Sequence, residues 1–137
     1  MAIADGGELI ILALGLKEFG EDLQIDRLIR KYGYMGVSEI WRLVKQNDDL
    51  QQNLGAAAHL IHGSSESRFT ITYCPGKVIK DEIEQVGFQY AGLNELMQKY
   101  NPQELSDGFN TMPDGEKIFF ISNPASGLWA YQDRYRI

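Results

Sequence analysis

The sequence predicts a three-layer α/β/α fold in which a mostly parallel sheet of three to five strands lies between layers of helices. Three segments have the composition of strands, namely Leu9–Leu14, Phe69–Tyr73 and Lys117–Ile121. The stretches between them repeat apolar residues at helical spacing. Because strands that alternate with helices favour right-handed crossovers, we expect a parallel sheet.

Each predicted strand carries its own signal. Leu9–Leu14 is apolar without alternation, which is typical of a strand covered on both faces. Phe69–Tyr73 is rich in β-branched and aromatic residues, and the break Cys74–Gly76 ends it. Lys117–Ile121 follows the turn signal Pro113–Gly115.

The predicted helices lie between these strands. Five segments place apolar residues on one helical face: Ile25–Tyr32, Ile40–Val44, Leu50–Ile61, Val78–Val86 and Leu93–Tyr100. Gly33, Gly63 and Gly87 follow three of them, as glycine does at helix ends. Phe88–Tyr90 is a candidate short fourth strand. The resulting order of strands and helices is Rossmann-like.

Composition predicts a single soluble globular domain over residues 1–137. Apolar residues make up 44% of the chain and charged residues 23%, which suits one hydrophobic core. The net charge of −6, without a cluster of Lys and Arg, argues against nucleic acid as a partner. The longest apolar run, Leu9–Leu14, is too short to cross a membrane. One cysteine, Cys74, cannot build a disulfide framework, which favours the cytoplasm.

The amino-terminal residues suggest that the chain continues a longer polypeptide. Ala2–Asp5 followed by Gly6 and Gly7 has the pattern of a last helical turn with its glycine stop. Because one turn does not form a helix by itself, we expect the rest of that helix to be encoded upstream. The alternative is a frayed natural terminus.

Ligands of open parallel sheets bind beyond the carboxyl ends of the strands, and three predicted loops lie there. They are Gly15–Gly20, Cys74–Lys77 and Ser122–Gly127. The first leads into a helix whose free N–H groups could hold an anion, but it contains neither phosphate-binding glycine motif. Glu21 and Asp22 favour a tight turn without a ligand, because their carboxylates can occupy the helix start.

Two histidines and the cysteine are further candidates. His59 and His62 are three residues apart on one predicted helix, within reach of one metal ion, but no third ligand completes a site. We therefore expect solvated surface histidines. Cys74 could be a thiolate nucleophile beside a helix start, but no base or following arginine is identifiable, which favours a structural strand-end residue.

Two remaining segments are interpreted as structural. The stretch "HGSSESR" (His62–Arg68) places serines after a glycine but lacks the second glycine of a nucleophile elbow, so it is predicted to be a loop. The aromatic tail Leu128–Tyr135 is expected to pack on this domain or on a neighbour. By these residues alone, no catalytic set emerges.

The order of four segments resembles the C-terminal domain of the nickel-pincer-dependent lactate racemase family, which comprises 2-hydroxy-acid racemases and epimerases. The segments are "DGGELIILA", "FTITYC", "PGKVIKDEIEQVGFQYAGLNELMQKY" and "PDGEKIFFISNPASG". The resemblance extends from about Ala2 to Gly127 and rests mainly on strands, glycine stops and the Val86-Gly87-Phe88 step.

This resemblance implies chemistry at the α-carbon of a small 2-hydroxy acid. In the family, a nickel-holding pincer nucleotide, tethered to a lysine, accepts and returns a hydride, while histidines act as acid and base. These residues lie in the family's N-terminal domain, so no catalytic residue, metal ligand or cofactor is expected in this chain. The N-terminal domain of the same polypeptide is the expected partner.

The resemblance further implies that this chain forms one wall of an interdomain substrate cleft. The expected cleft residues are Gly15, Lys17, Glu18, Gly20, Asn53, Gly55, Asn123 and Ser126. Lactate racemases proper carry a tryptophan and polar residues near the stretch that here is Asn53–Ala58, so a larger acid or another role is open. The alternative function is a stand-alone small-anion-binding or regulatory module.

Overall fold

The structure is a computed structural model that describes residues 3–126, and the chain divides into two compact units. The first unit covers residues 3–93 and the second begins at Asn94. The elements of the first unit are β1 (Glu8–Ala13), α1 (Leu23–Tyr32), α2 (Val37–Gln46), α3 (Asp48–Gln52), α4 (Leu54–His62), β2 (Thr70–Pro75), α5 (Lys80–Gln85) and β3 (Gln89–Tyr90). Then follow α6 (Leu93–Lys99), β4 (Gly108–Thr111), β5 (Lys117–Phe120) and the 3₁₀ turn Pro124–Ser126.

The first unit contains a parallel sheet with the strand order β1-β2-β3. The register pairs Glu8 with Thr70 at one end of β1 and Ala13 with Pro75 at the other. The predicted mixed α/β fold is therefore confirmed, and the strands predicted around β1, β2 and β3 all belong to this sheet. No helix within residues 3–126 is long and apolar enough to cross a membrane.

One face of the sheet packs against the helices. Leu9 and Ile11 of β1 and Ile71 and Tyr73 of β2 share this face because the register is parallel. They contact a core that includes one fully buried aliphatic side chain from each of α1 to α5: Ile29, Ile40, Leu50, Leu60 and Ile83. The sequence predicted helices on both faces of the sheet. Within residues 3–93, however, the helices that connect β1 to β2 (α1 to α4) and β2 to β3 (α5) all pack on the same face.

Asn53 divides the third predicted helix into two. The apolar pattern predicted one helix over Leu50–Ile61, but α3 ends at Gln52 and α4 begins at Leu54. The Asn53 backbone is not helical, and its side-chain Oδ1 accepts a hydrogen bond from the Ala56 N–H at 2.9 Å. The amide side chain thus replaces a helical hydrogen bond and starts a new helix, which the apolar spacing does not reveal.

The strand predicted at Lys117–Ile121 exists but belongs to a different sheet. It is β5, which pairs antiparallel with β4 in the second unit and not with the parallel strands. Pro113–Gly115 forms the hairpin loop, in which Gly115 has φ +88° and its N–H donates to the Met112 carbonyl at 2.9 Å. β4 was not predicted because its one large apolar residue, Phe109, is 86% exposed and gives no alternating pattern.

A turn precedes β1, where the sequence predicted a helical remnant. The Gly7 N–H donates to the Ala4 carbonyl at 3.0 Å, and Gly6 has φ +75°. The Gly6 N–H donates to the Arg68 carbonyl at 2.6 Å and so fastens the turn beside the start of β2. The described part of Ala2–Asp5 is therefore not helical, while Ala2 and the tail Leu128–Tyr135 lie outside the described residues.

The backbones that leave β1 and β2 lie in direct contact. The Gly76 N–H donates to the Ala13 carbonyl at 3.1 Å. A Cβ atom at Gly76 would lie 2.2 Å from the Leu14 carbonyl oxygen, which no side chain tolerates without a shift of the backbone. At Gly15, by contrast, a Cβ atom would meet no other atom within 4 Å. Glycine at position 76 is therefore a steric requirement of the close approach.

We expect Gly76→Ala to lower the free energy of unfolding by at least about 2 kcal/mol, because overpacking forces the two loops apart. Gly15→Ala is the matched control and should change it by less than about 0.5 kcal/mol. Urea unfolding followed by far-UV circular dichroism measures both. Equal stabilities of the two variants would show that the loops are not in contact.

Candidate functional site

The carboxyl ends of β1 and β2 are neighbours, so the loops that follow them lie at the same edge of the sheet. Ala13 and Pro75 are paired at this end of the register. We call this region, with the loops after β1 and β2 and the first turns of α1 and α4, the carboxyl edge. Ligands of open parallel sheets bind at this position.

A buried carboxylate holds the Gly15–Gly20 loop to α1. Asp26, which is 7% exposed, accepts a hydrogen bond from the Phe19 N–H through Oδ1 at 2.7 Å. Its Oδ2 accepts from Arg30 Nε at 2.7 Å, and the Arg30 guanidinium lies over the Phe19 ring at 5.0 Å. The buried Phe19 side chain and the Asp26 carboxylate therefore fix the end of the loop, while Lys17 and Glu18 remain exposed.

Arg30 extends this network to the helix that follows β2. Its Nη1 donates to Glu82 of α5, and the second oxygen of Glu82 accepts from the Ile79 N–H at 3.0 Å. The Ile79 N–H and the Arg30 guanidinium together hold the pKa of the Glu82 carboxyl below its usual value. One chain of hydrogen bonds, from Phe19 through Asp26 and Arg30 to Glu82, thus links the loop after β1 to the start of α5.

Side chains already accept hydrogen bonds from N–H groups in the first turns of α1 and α4. Asp22 Oδ1 accepts from the N–H groups of Gln24 and Ile25, both at 2.8 Å. The expectation that carboxylates occupy this helix start is confirmed for Asp22. At the start of α4, Asn53 Oδ1 accepts a hydrogen bond from the Ala56 N–H in the same way. An anion at either position would have to displace a side chain of the protein, and at α1 that side chain is itself negative.

The first turns of α1 and α4 lie side by side, with Ile25 between two glycines. A Cβ atom at Gly20 would lie 2.7 Å from Ile25 Cγ2, and one at Gly55 would lie 3.8 Å from Ile25 Cδ1. Six of the eight predicted cleft residues therefore lie on the two segments that contact Ile25: Gly15, Lys17, Glu18, Gly20, Asn53 and Gly55. They come from two segments that are far apart in the sequence.

The other two predicted cleft residues belong to the second unit. Asn123 Oδ1 accepts a hydrogen bond from the Ala125 N–H at 3.1 Å, at the start of the 3₁₀ turn Pro124–Ser126. Ser126 ends that turn. Since β5 pairs antiparallel with β4, the segment after it does not follow a strand of the parallel sheet, contrary to its prediction.

Four large aliphatic side chains are exposed at the carboxyl edge, and sequence analysis missed them. They are Leu14 after β1 (54% exposed), Leu23 and Leu54 at the first positions of α1 and α4 (65% and 63%), and Ile79 before α5 (61%). We call them the edge patch. Leu14, Leu54 and Ile79 were assigned to apolar patterns, but each lies at or just beyond the end of its element and is more than half exposed. Apolar residues at the first helical position are the signal that could have identified the patch.

Cys74 is not a nucleophile in this fold. Its side chain is fully buried on the sheet face opposite the one that packs against α1 to α5. Burial, and to a smaller extent the nearby Glu8 carboxylate, raise the pKa of the Cys74 thiol. A raised pKa leaves the unreactive protonated form at neutral pH, which agrees with the structural interpretation of this residue.

The two histidines do not form a metal site. His62 is exposed, while His59 is half-buried with its Nδ1 atom 3.0 Å from the Tyr34 hydroxyl. The prediction of solvated histidines therefore holds for His62 but not for His59. Within residues 3–126, no group of three or more His, Cys, Asp and Glu side chains is placed to bind a metal ion.

A groove of about 780 Å³ lies at the opposite, amino end of β2, beside the predicted loop His62–Arg68. Its charged side chains already have partners in the protein. Glu66 Oε1 accepts from the Val37 N–H at 2.7 Å and so closes the start of α2, and Arg42 pairs with Glu39. Each charged side chain that lines the groove thus has a partner in the protein, which favours the carboxyl edge as the candidate site.

Comparisons with known proteins establish the fold alone. No protein-family model matches the chain, and no curated protein matches it. One solved structure, of a Thermotoga maritima protein determined by a structural genomics consortium, is similar, with a TM-score of 0.52 and 23% sequence identity. The match covers 75% of this chain and 24% of the other, so this chain spans about a quarter of the protein it resembles.

We expect Asp26→Asn to lower the free energy of unfolding by about 2 kcal/mol, because the amide turns one acceptor into a donor that faces Arg30. Asp22→Asn is the matched control. Asparagine caps a helix as well as aspartate does, so the change should stay within about 0.5 kcal/mol. Urea unfolding of both variants tests the expectation, and an Asp26→Asn variant as stable as Asp22→Asn would contradict it.

Proposed function

We propose that this chain is the C-terminal domain of a nickel-pincer-nucleotide-dependent 2-hydroxy-acid racemase or epimerase, and that its carboxyl edge forms one wall of the substrate cleft. The observation that supports the proposal best is that Gly20, at the end of the Gly15–Gly20 loop, and Gly55, beside Asn53, both lie next to Ile25 at this edge. The family resemblance selected these two segments independently of the fold. A third expected segment, around Asn123, is part of the proposal on the resemblance alone.

The exposed side chains of the Gly15–Gly20 loop are of types that can bind a hydroxy acid. The Lys17 ammonium can bind the substrate carboxylate, and the Glu18 carboxylate can accept a hydrogen bond from the α-hydroxyl. Because Phe19 and Asp26 fix the end of the loop, less backbone entropy is lost there when these side chains bind. We assign Lys17 and Glu18 to substrate positioning and not to the chemical step.

The cofactor would be held mainly outside the residues described. The pincer-bound nickel supplies hydride acceptance and return when it is present. Residues 3–126 offer no cluster of three metal ligands, so in this proposal the preceding domain of the same polypeptide binds it. This chain's part is to orient the hydroxy acid and to exclude water from that side of the cleft. The cytoplasm is the proposed location, consistent with a single, buried, unpaired cysteine.

A stand-alone anion-binding module is less well supported. Such a module would use the free N–H groups at the start of α1, and Asp22 already accepts two of them. The helix start is therefore closed to a second negative group unless the Asp22 side chain moves.

The test is racemisation by the complete polypeptide encoded by the reading frame that contains this chain, loaded with nickel and the pincer nucleotide. Single enantiomers of 2-hydroxy acids of increasing side-chain size are incubated with it, and the products are separated by chiral chromatography. We expect racemisation of at least one acid, and Lys17→Ala should lower kcat/KM at least about tenfold, mainly through KM.

Lys31→Ala is the matched control because Lys31 lies at the other end of α1, where it pairs with Asp49 at an exposed position. Loss of an exposed ion pair has little effect, so kcat/KM should stay within about twofold of the wild type. Absence of racemisation with every acid, or turnover by the 137-residue chain alone, would contradict the proposal.

A further inference from the structure

One edge of the parallel sheet is long and open. β1 and β3 are the two edge strands, because β2 lies between them. β3 is only two residues long, and a very short edge strand offers little backbone for pairing. β1 is six residues long, and within residues 3–126 no strand pairs with the side of β1 that faces away from β2. We call this side the outer edge of β1.

The outer edge presents backbone groups that have no partner. Successive residues of a strand point their N–H and C=O groups alternately to its two sides. Gly7 and Ala13 face β2, since their carbonyls accept hydrogen bonds from N–H groups of the β2 segment at 3.0 and 3.1 Å. The residues between them that face the outer edge are Glu8, Ile10 and Leu12. Among the residues that the structure describes, their N–H and C=O groups form no hydrogen bond.

The composition of β1 is that of a covered strand. Proteins commonly protect an open edge with a charged residue or a proline, and Leu9–Ala13 contains neither. Yet every residue of β1 is partly or largely exposed, whereas four of the six residues of β2 are buried. Both the apolar side chains and the unpaired backbone groups of β1 therefore favour a further strand at this edge.

We propose that the outer edge of β1 pairs antiparallel with the outer edge of β1 in a second copy of this chain, which gives a dimer with two-fold symmetry. The inference goes beyond the proposed function and does not rest on it. In this pairing Ile10 lies opposite Ile10 of the other copy, and Glu8 lies opposite Leu12. All the outward N–H and C=O groups of both strands then obtain partners.

The side chains of β1 suit this register. Two aliphatic residues meet at the two-fold axis, and aliphatic pairs across antiparallel strands are favourable. Glu8 is the only charged residue of β1, and it faces an aliphatic residue of the other copy. Parallel pairing in register would instead place the two Glu8 carboxylates side by side, where like charges repel.

Two features favour a second copy over a strand from another protein. The second copy presents the same uncovered apolar strand, so one contact covers both edges. Because β3 is too short to continue the pairing, each parallel sheet has one long open edge, and assembly ends at two copies. Stable complexes bury about 1,200–2,000 Å², more than one strand pair provides, so we expect a reversible dimer with a Kd in the micromolar range.

Hydrogen exchange resolved to single amides tests the pairing in the wild-type chain. Sedimentation velocity over a wide range of protein concentration first identifies the monomer and the dimer. The amides of Leu9 and Ile11 face β2 and should be protected at every concentration. The amides of Ile10 and Leu12 should exchange at least about tenfold more slowly in the dimer than in the monomer.

A charge at the two-fold axis provides a second test. Ile10→Lys places two ammonium groups opposite each other and removes the aliphatic contact, so it should weaken dimerisation at least about tenfold. Gln89→Lys, at an exposed position of the short edge strand β3, is the matched control. It should change the dimer Kd by less than about twofold. Far-UV circular dichroism establishes whether both variants are folded.

Three results would overturn the proposal. A chain that is monomeric at every concentration is the first. The second is a dimer in which the Ile10 and Leu12 amides stay unprotected, because another surface then forms the contact. The third is protection of these amides that does not depend on concentration, since another segment of the same chain then covers the edge. If Ile10→Lys does not fold, the exchange measurement on the wild-type chain still decides between these outcomes.

Discussion

The carboxyl edge depends on one buried carboxylate. Asp26 accepts one hydrogen bond from a loop amide and one from a guanidinium, and both of its oxygens are thereby satisfied in a site that is almost closed to water. A buried charge without these partners would cost several kcal/mol, by the usual magnitude for buried ions. The loop after β1 therefore has one favourable position, with Phe19 inside and Lys17 and Glu18 outside.

Two further constraints act at the same edge. Gly76 lets the exit of β2 pass against the Leu14 carbonyl, and Ile25 fills the space between Gly20 and Gly55. Together with the path from Arg30 to Glu82, they fix the strand exits and the helix starts relative to one another. The result is a surface with exposed charged and aliphatic side chains on a backbone that has little freedom. This combination is the physical basis of the function proposed for this edge.

Much of the fold could be predicted because burial leaves a pattern in the sequence. The continuous apolar run of β1 and the β-branched run of β2 are such patterns, and both strands form there, although β2 continues to Pro75, beyond its predicted end at Tyr73. β4 left no pattern, because Phe109 is exposed and the hairpin is held by backbone hydrogen bonds. The break at Asn53 was also hidden, since a side chain that caps a helix does not alter the apolar spacing around it.

The site was predictable in part. Glycines and short polar runs after strands located the Gly15–Gly20 loop, and the resemblance located Asn53 and Gly55. Their contact through Ile25 is tertiary and has no local signal. The role of Asp26 was hidden for the same reason, since an acidic residue in the first turn of a helix is ordinary and its loop partner is seven residues away.

Hydrogen exchange at the Phe19 amide tests the central claim most directly. If the Asp26 carboxylate holds the loop, this amide is protected to an extent comparable with the amides of β1, although it lies outside any helix or strand. The amides of Lys17 and Glu18, which have no acceptor among the described residues, should exchange rapidly and serve as internal references. Exchange of the Phe19 amide as fast as that of Lys17 and Glu18 would contradict a fixed carboxyl edge.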